Sequence, residues 1–327
     1  MIPGNVCMDR VTGDNGSNVD KAIRCYALAL EVWTRVAAPL EWARLQVSMG
    51  NACVDRVNGD KAVNVDKAIE CYNLALEVWT REAAPLEWAR MQMNLGYAYG
   101  DRVTGDKGAN VDKAVECYAL ALEVWTREAA PLEWAQVHLN LGIAYRDRVT
   151  GGKGANLDKA IDCFEIALEV RTREETPLEW ARTQVNLGAT YMYRVNGDKG
   201  ANLEKVIDCY RLALEVWTRE AAAPEWAMMQ MNMGSAYRSR VTGDKGANLD
   251  KSIDHYVMSL KVWTREAAPQ MWAVVTFQLL ISQVEAEEWA AALVSARSLH
   301  QFGPRWVYWR QQGPYVVAEL KRLEAKF

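Results

Sequence analysis

The chain has 327 residues, 50% of them apolar and 24% charged, with a formal net charge of −4. That balance offers no broad basic surface for a phosphate backbone or an anionic membrane, so neither nucleic acid nor membrane is an expected partner. No apolar run approaches the roughly 18 residues of a membrane span, and Asp9 and Arg10 interrupt the apolar core of a secretory leader, so a cytoplasmic location is expected.

The chain is periodic. Trp33, Trp79, Trp125, Trp217 and Trp263 share one 46-residue grid, and Trp42, Trp88, Trp134, Trp180, Trp226 and Trp272 share another. A period of this size is the signature of a solenoid. Met1-Ile-Pro-Gly aligns with Met93-Asn-Leu-Gly, so the chain opens part-way along the first helix of a pair, here called helix A. Full copies of helix A follow near Pro39, Pro85, Pro131, Pro177, Pro224 and Pro269, and second helices, B, begin near Val19, Val65, Val111, Leu157, Leu203 and Leu249.

In the clearest copy the apolar residues Leu132, Trp134, Val137, Leu141, Ala144 and Tyr145 recur at intervals of three and four. That spacing predicts helix A from Pro131 to about Arg148, with proline tolerated in the first turn. A glycine-rich loop then leads to Asn156, the expected N-cap of a helix B running from Leu157 to about Glu174. No stretch alternates as a strand does. After Gln283 the glycine loop is missing, and Trp289 to Leu299 follows almost directly. Gly303-Pro304 and an amphipathic segment, Pro314 to Phe327, close the chain. Residues 1–300 therefore read as the solenoid, a partial first helix and then six pairs, and 301–327 as a C-terminal cap.

Asn94-Leu-Gly-Tyr-Ala-Tyr99, then Ala114, Tyr118 and Ala121, resembles the tetratricopeptide repeat (TPR) pattern, and the match recurs in every copy. Two intervals are each about six residues longer than in that pattern, which lengthens a repeat of about 34 residues to 46. The resemblance implies an all-α, antiparallel helix-pair solenoid, a TPR-like right-handed superhelix with a C-terminal capping helix. The long form resembles bacterial and cyanobacterial arrays that act as the partner-sensing part of signalling proteins.

One face of helix A is nearly constant and the opposite face is not. One residue after the glycine stand Asn51, Tyr97, Ile143, Ala189 and Ser235, and four after it Val54, Gly100, Arg146, Met192 and Arg238. In the TPR fold, the resemblance implies, this variable face lines the concave groove. Two residues before the glycine the chain repeats Asn94, Asn140, Asn186 and Asn232. Peptide-gripping TPR proteins carry an asparagine ladder in this place, where each amide offers a donor and an acceptor to peptide backbone. The rival reading of the residues is that each Asn bonds a neighbouring helix as structure. One turn earlier lie Arg44, Arg90 and Arg182, where carboxylate-clamp members place basic groups.

Cys25, Cys71, Cys117, Cys163 and Cys209 form one column with His255 in the sixth place, and a reduced, packed ladder is expected. Cys7 and Cys53 stand where other copies have tyrosine. The Trp columns read as core or turn packing, and Arg171, which interrupts one of them, as a partly buried residue with a packed stem. The Gly-Asp-Lys-Gly loops read as a solvated edge, and the Arg-Glu pairs such as Arg127-Glu128 as structural, with arginine serving the negative end of helix B. His138, His255 and His300 have no second histidine at metal or triad spacing. The resulting expectation is a non-catalytic scaffold without metal or cofactor, binding an extended peptide or disordered protein segment. Asn94, Asn140, Asn186 and Asn232 take the backbone, Arg44, Arg90 and Arg182 take carboxylates, and Tyr97, Arg146 and Arg238 select side chains. Two alternatives stay open: end-to-end self-assembly through the N-terminal half helix, or the sensor fragment of a larger signalling chain.

Overall fold

The computed structural model describes residues 15–326, which divide into two compact helical units, one ending at Val170 and the other beginning at Arg171. In the first, α1 (Asn15–Val32) precedes three helix pairs: α2 (Pro39–Asp55) with α3 (Lys61–Leu76), α4 (Pro85–Asp101) with α5 (Lys107–Leu122), and α6 (Pro131–Asp147) with α7 (Lys153–Leu168). The second contains α8 (Pro177–Tyr193) with α9 (Lys199–Leu214), α10 (Ala223–Ser239) with α11 (Lys245–Leu260), and α12 (Pro269–Glu285) with α13 (Trp289–Phe302). A 3-10 turn, Gly303–Arg305, leads to α14 (Trp309–Glu324). The described residues contain no strand. The half helix expected at the N-terminus lies outside them.

In five of the six pairs helix A is held to its own helix B by one close approach; α12 has Leu280 in the glycine's place. An ideal Cβ built on Gly50, Gly96, Gly142, Gly188 or Gly234 would sit 2.6–2.8 Å from the ring of Tyr72, Tyr118, Phe164, Tyr210 or Tyr256 respectively. Only glycine admits the ring that close. Around this contact lie small buried residues, Ala89, Ala98, Ala114 and Ala121 among them, so the two helices approach face to face.

Helix B is shifted towards the N-terminus from its expected position. Asp60, Asp106, Asp198 and Asp244 are the N-caps, each accepting a hydrogen bond from a first-turn N–H; Asp106 accepts from Ala109 at 2.8 Å. Gly152 fills that place before α7 and caps nothing. Lys107 and Gly108 are thus helix, and the loop is shorter than its composition predicts. Its one conformational requirement is Gly105 and its equivalents, at φ between 75° and 85°. Asn156 and its equivalents are buried inside the helix, where Nδ2 donates to the loop carbonyl of Thr150 at 2.8 Å. At its other end helix B stops at Leu168, not Glu174, and the residues beyond are turn. The final helix begins at Trp309, five residues before the expected start, with Pro314 inside its first turns.

Two sets of ion pairs cross from one pair of helices to the next. Arg102 Nε bonds Asp66 at 2.7 Å, Arg148 bonds Asp112 at 2.6 Å, and Arg240 bonds Glu204 at 2.8 Å, with the following threonine, as Thr150 to Asp112, closing each carboxylate. On the other edge Arg81 pairs with Glu123 and Arg127 with Glu169, each guanidinium lying over a tryptophan, Trp88 or Trp134, at 5.5–6.0 Å. These arginines lie beyond the end of helix B and serve the next repeat, not the dipole of their own helix.

Hydrogen bonds from Thr150 and Arg148 hold the Asp112 carboxyl below the usual carboxylate range, and those from Arg240 and Thr242 do the same for Glu204. A folded-state pKa below the unfolded one stabilises above about pH 4 and is lost as pH falls through the lowered value. Thermal melts by circular dichroism should therefore hold Tm steady down to about pH 5 and show it falling below that. Asp112→Asn should lower Tm at pH 7 and shrink the acid-dependent part; an unchanged acid profile would remove Asp112 from the account.

The cysteines described are free, and all but Cys25 are buried. Burial pushes Cys117 up to about 11 and Cys71 and Cys163 up to about 12, so these thiols stay protonated and unreactive. Arg171 departs from expectation. It is only 5% exposed, as buried as Trp79, Trp125 and Trp217 of its column, because the position lies in the covered turn after the helix. Burial lowers its pKa, and Glu179 opposes that shift.

Candidate functional site

Helix A buries Ala89, Met91, Gln92, Leu95, Gly96 and Ala98, which leaves Asn94 and Tyr97 facing away from that packed side. In the first unit three successive copies, α2, α4 and α6, combine there to enclose a cavity of about 280 Å³. α4 contributes Met93, Asn94 and Tyr97; α2 contributes Asn51, Val54 and Asp55; α6 contributes Gln136 and Asn140; and Tyr72 of α3 forms part of the wall.

The amides are oriented by one another. The Tyr72 hydroxyl donates to Asn51 Oδ1 at 2.8 Å, and Asn94 Nδ2 donates to the same oxygen at a long 3.4 Å. Gln136 Nε2 donates to Asn140 Oδ1 at 3.0 Å. Burial, with the Asp55 charge next in weight, raises the Tyr72 pKa, so its hydroxyl keeps its proton and remains a donor. Among the described residues nothing else engages Asn94 Oδ1 or the two N–H groups of Asn140, so an acceptor and donors face the cavity. That is the pattern a peptide group answers.

No protein-family model matches the chain, and no curated protein matches it in sequence. Solved structures do match. The apo form of RapI aligns at a TM-score of 0.62 with 14% identity, over 96% of this chain and 78% of that one. A chain of the APC/C hetero-tetramer Cut9–Hcn1 aligns at 0.53 with 13% identity, over 97% of this chain and 50% of that one. Both are TPR-type repeat proteins, and at this level of identity the likeness concerns the fold. This chain is a TPR-like helix-pair array.

Within the array the expected site residues separate into groups. Asn94, Asn140 and Tyr97 share the cavity. Arg90, one turn before Asn94, opens onto a different hollow of about 320 Å³ beside Trp125, Pro131 and Leu132. Arg44 and Arg182 are exposed. Arg146 is half-buried and pairs with Asp147 at 3.1 Å. Asn186, Asn232 and Arg238 belong to the second unit, where Asn186 Nδ2 donates to Arg182 O at 3.0 Å and the buried Arg238 Nη1 has no hydrogen-bond partner. Asn51 and Val54 were expected on the groove-lining face without a binding role, and Asp55, Tyr72 and Met93 were not among the expected site residues. Asp55 lies four residues after Asn51, on the same face of the helix, a signal that was readable.

Among the described residues no three His, Cys, Asp or Glu side chains converge to hold a metal ion. His138 meets the edge of Trp134 at 4.6 Å, and burial lowers its pKa. His255 stacks on Tyr237 and bonds Gln230 through Nδ1 at 2.6 Å. Both are occupied in packing. No described helix is long and apolar enough to cross a membrane.

Proposed function

We propose that the chain is a non-catalytic protein–protein interaction scaffold that binds an extended peptide or disordered segment across helix A. The observation that carries this reading is the set of outward amide groups of Asn94 and Asn140 over a cavity walled by Tyr97. Asn186 and Asn232 supply the same chemistry in the second unit. Arg44, Arg90 and Arg182 are the groups for acidic side chains of a longer ligand, and Arg146 and Arg238 complete the side-chain selection. The solution of the structurally similar Cut9 chain in a complex with Hcn1 supports a protein partner. Free, buried cysteines accord with a reducing cytoplasm.

A display library of extended peptides, selected against the purified chain and against Asn94→Ala/Asn140→Ala, tests the proposal. The wild type should enrich a motif. Loss of two amides, each contributing about 0.5–1.5 kcal/mol of hydrogen bonding, should weaken the enriched peptide about five- to hundredfold while the helical circular dichroism is retained. Equal binding by both proteins would remove the amides from the site.

A further inference from the structure

We propose that the first-unit cavity selects a peptide segment with a lysine or arginine side chain, its cation paired with Asp55 and its stem lying against Tyr97, which deepens the peptide-scaffold reading and rests on it. Among the described residues Asp55 is the only charged side chain lining the cavity. It is the last residue of α2 and makes no ion pair or hydrogen bond among the described residues, whereas its counterparts in the next two repeats are both neutralised. Lys61 Nζ bonds Asp101 at 2.9 Å, and Arg146 Nε bonds Asp147 at 3.1 Å. The sequence explains the difference: Asp147 follows Arg146, whereas Asp55 follows Val54. Asp101 takes its lysine from 40 residues earlier; 40 residues before Asp55 the sequence has Asn15, which carries no charge.

Tyr97 supplies a second, independent observation. This chain repeatedly sets a lysine ammonium over a tyrosine of helix A: Lys113 over Tyr99 at 5.1 Å, Lys159 over Tyr145 at 5.3 Å and Lys251 over Tyr237 at 5.2 Å. Tyr97 is 54% exposed, and among the described residues no cation lies over it. Its π-face and the Asp55 carboxylate therefore line one cavity, an arrangement that attracts a cation from both sides. Val54 and Met93 give apolar cover to a methylene stem, and the amides of Asn94 and Asn140 hold the backbone on either side of it. An acidic side chain at this place would meet a like charge that has no counter-ion among the described residues.

The test uses the full chain and the same randomised peptide library, followed by fluorescence anisotropy on labelled hits at low salt. The expected result is a motif with Lys or Arg at one fixed position. Replacing that residue by norleucine or citrulline should weaken binding about three- to thirtyfold, and Asp55→Asn should cost the same, with no further loss when the two changes are combined. Tyr97→Ala should weaken cationic peptides more than their neutral analogues, and Asp55→Lys should shift selection to Glu or Asp at that position. Hits without a cationic position, or hits lost in Asn94→Ala/Asn140→Ala yet indifferent to Asp55→Asn, would overturn the cation preference and leave the scaffold reading standing. A library that enriches nothing would overturn both.

Discussion

Trp125→Ala is expected to remove about 3–5 kcal/mol of stability, the cost of truncating a large buried aromatic into a cavity. Trp125 is 3% exposed and lies in the turn after α5, where it packs in one cluster with Ala89, Ala121, Val137 and Leu141. It thus joins three helices across a repeat boundary. Urea unfolding at 25 °C should show a marked fall in midpoint, and since stability in such arrays passes between neighbours, the transition should broaden or divide. A loss below about 1 kcal/mol, outside the range for buried aromatics, would mean that the turn collapses readily and the tryptophan column is covering, not core.

Gly142→Ala tests the contact inside a pair. The new Cβ would lie 2.7 Å from Phe164 Cε1, with two more ring atoms at 2.9 Å, and Phe164 is fully buried with nowhere to retreat. Overpacking of this kind costs about 1–3 kcal/mol, of which alanine's helix propensity returns up to about 1. The expected net result is destabilisation by about 1–2 kcal/mol. Gly100, also helical but with nothing within 4 Å of an ideal Cβ, is the control. Gly100→Ala should stabilise by about 0.4–1 kcal/mol. Combining Gly142→Ala with Phe164→Leu should cost less than the sum of the two, because the smaller side chain relieves the clash. Strict additivity would rule out the ring as the obstacle.

Helix A was legible at its start, to the residue in five copies and within one residue at α10, which begins at Ala223, because proline marks the first turn and the apolar periodicity runs through Ala144. Helix B was misplaced at both ends. Asn156 is a good cap by type, but Asp in the other copies lies closer to the true start, and the choice between them is decided by where the Asn side chain is buried. Arg127 shows a different limit. Its partner Glu169 lies 42 residues away, so a local reading assigned it to the nearest dipole. Arg171 was read from its chemistry when its covered position in the turn governs its burial. For the candidate site, the amide column was visible along the chain but its depth was not. Asn94 and Asn140 share one hollow while Arg90, four residues from Asn94, faces another. Asp55 escaped notice because its significance lies in a lysine absent 40 residues earlier.

The glycine–ring contacts all lie within a helix pair, uncharged and buried, whereas the arginine–carboxylate pairs lie between helix pairs and stay partly exposed. Helix packing is also more extensive within a pair than between pairs. Each unit is therefore built of closely packed members joined at their boundaries by apolar contacts such as that of Trp125 and by ion pairs at the edges. Salt screens exposed charges and barely touches buried apolar contact, and acid discharges carboxylates but not rings. Ionic strength and acidity thus weaken the ionic share of each boundary and spare the packing within a pair, while buried residues such as Trp125 hold the boundary by contacts that neither condition reaches.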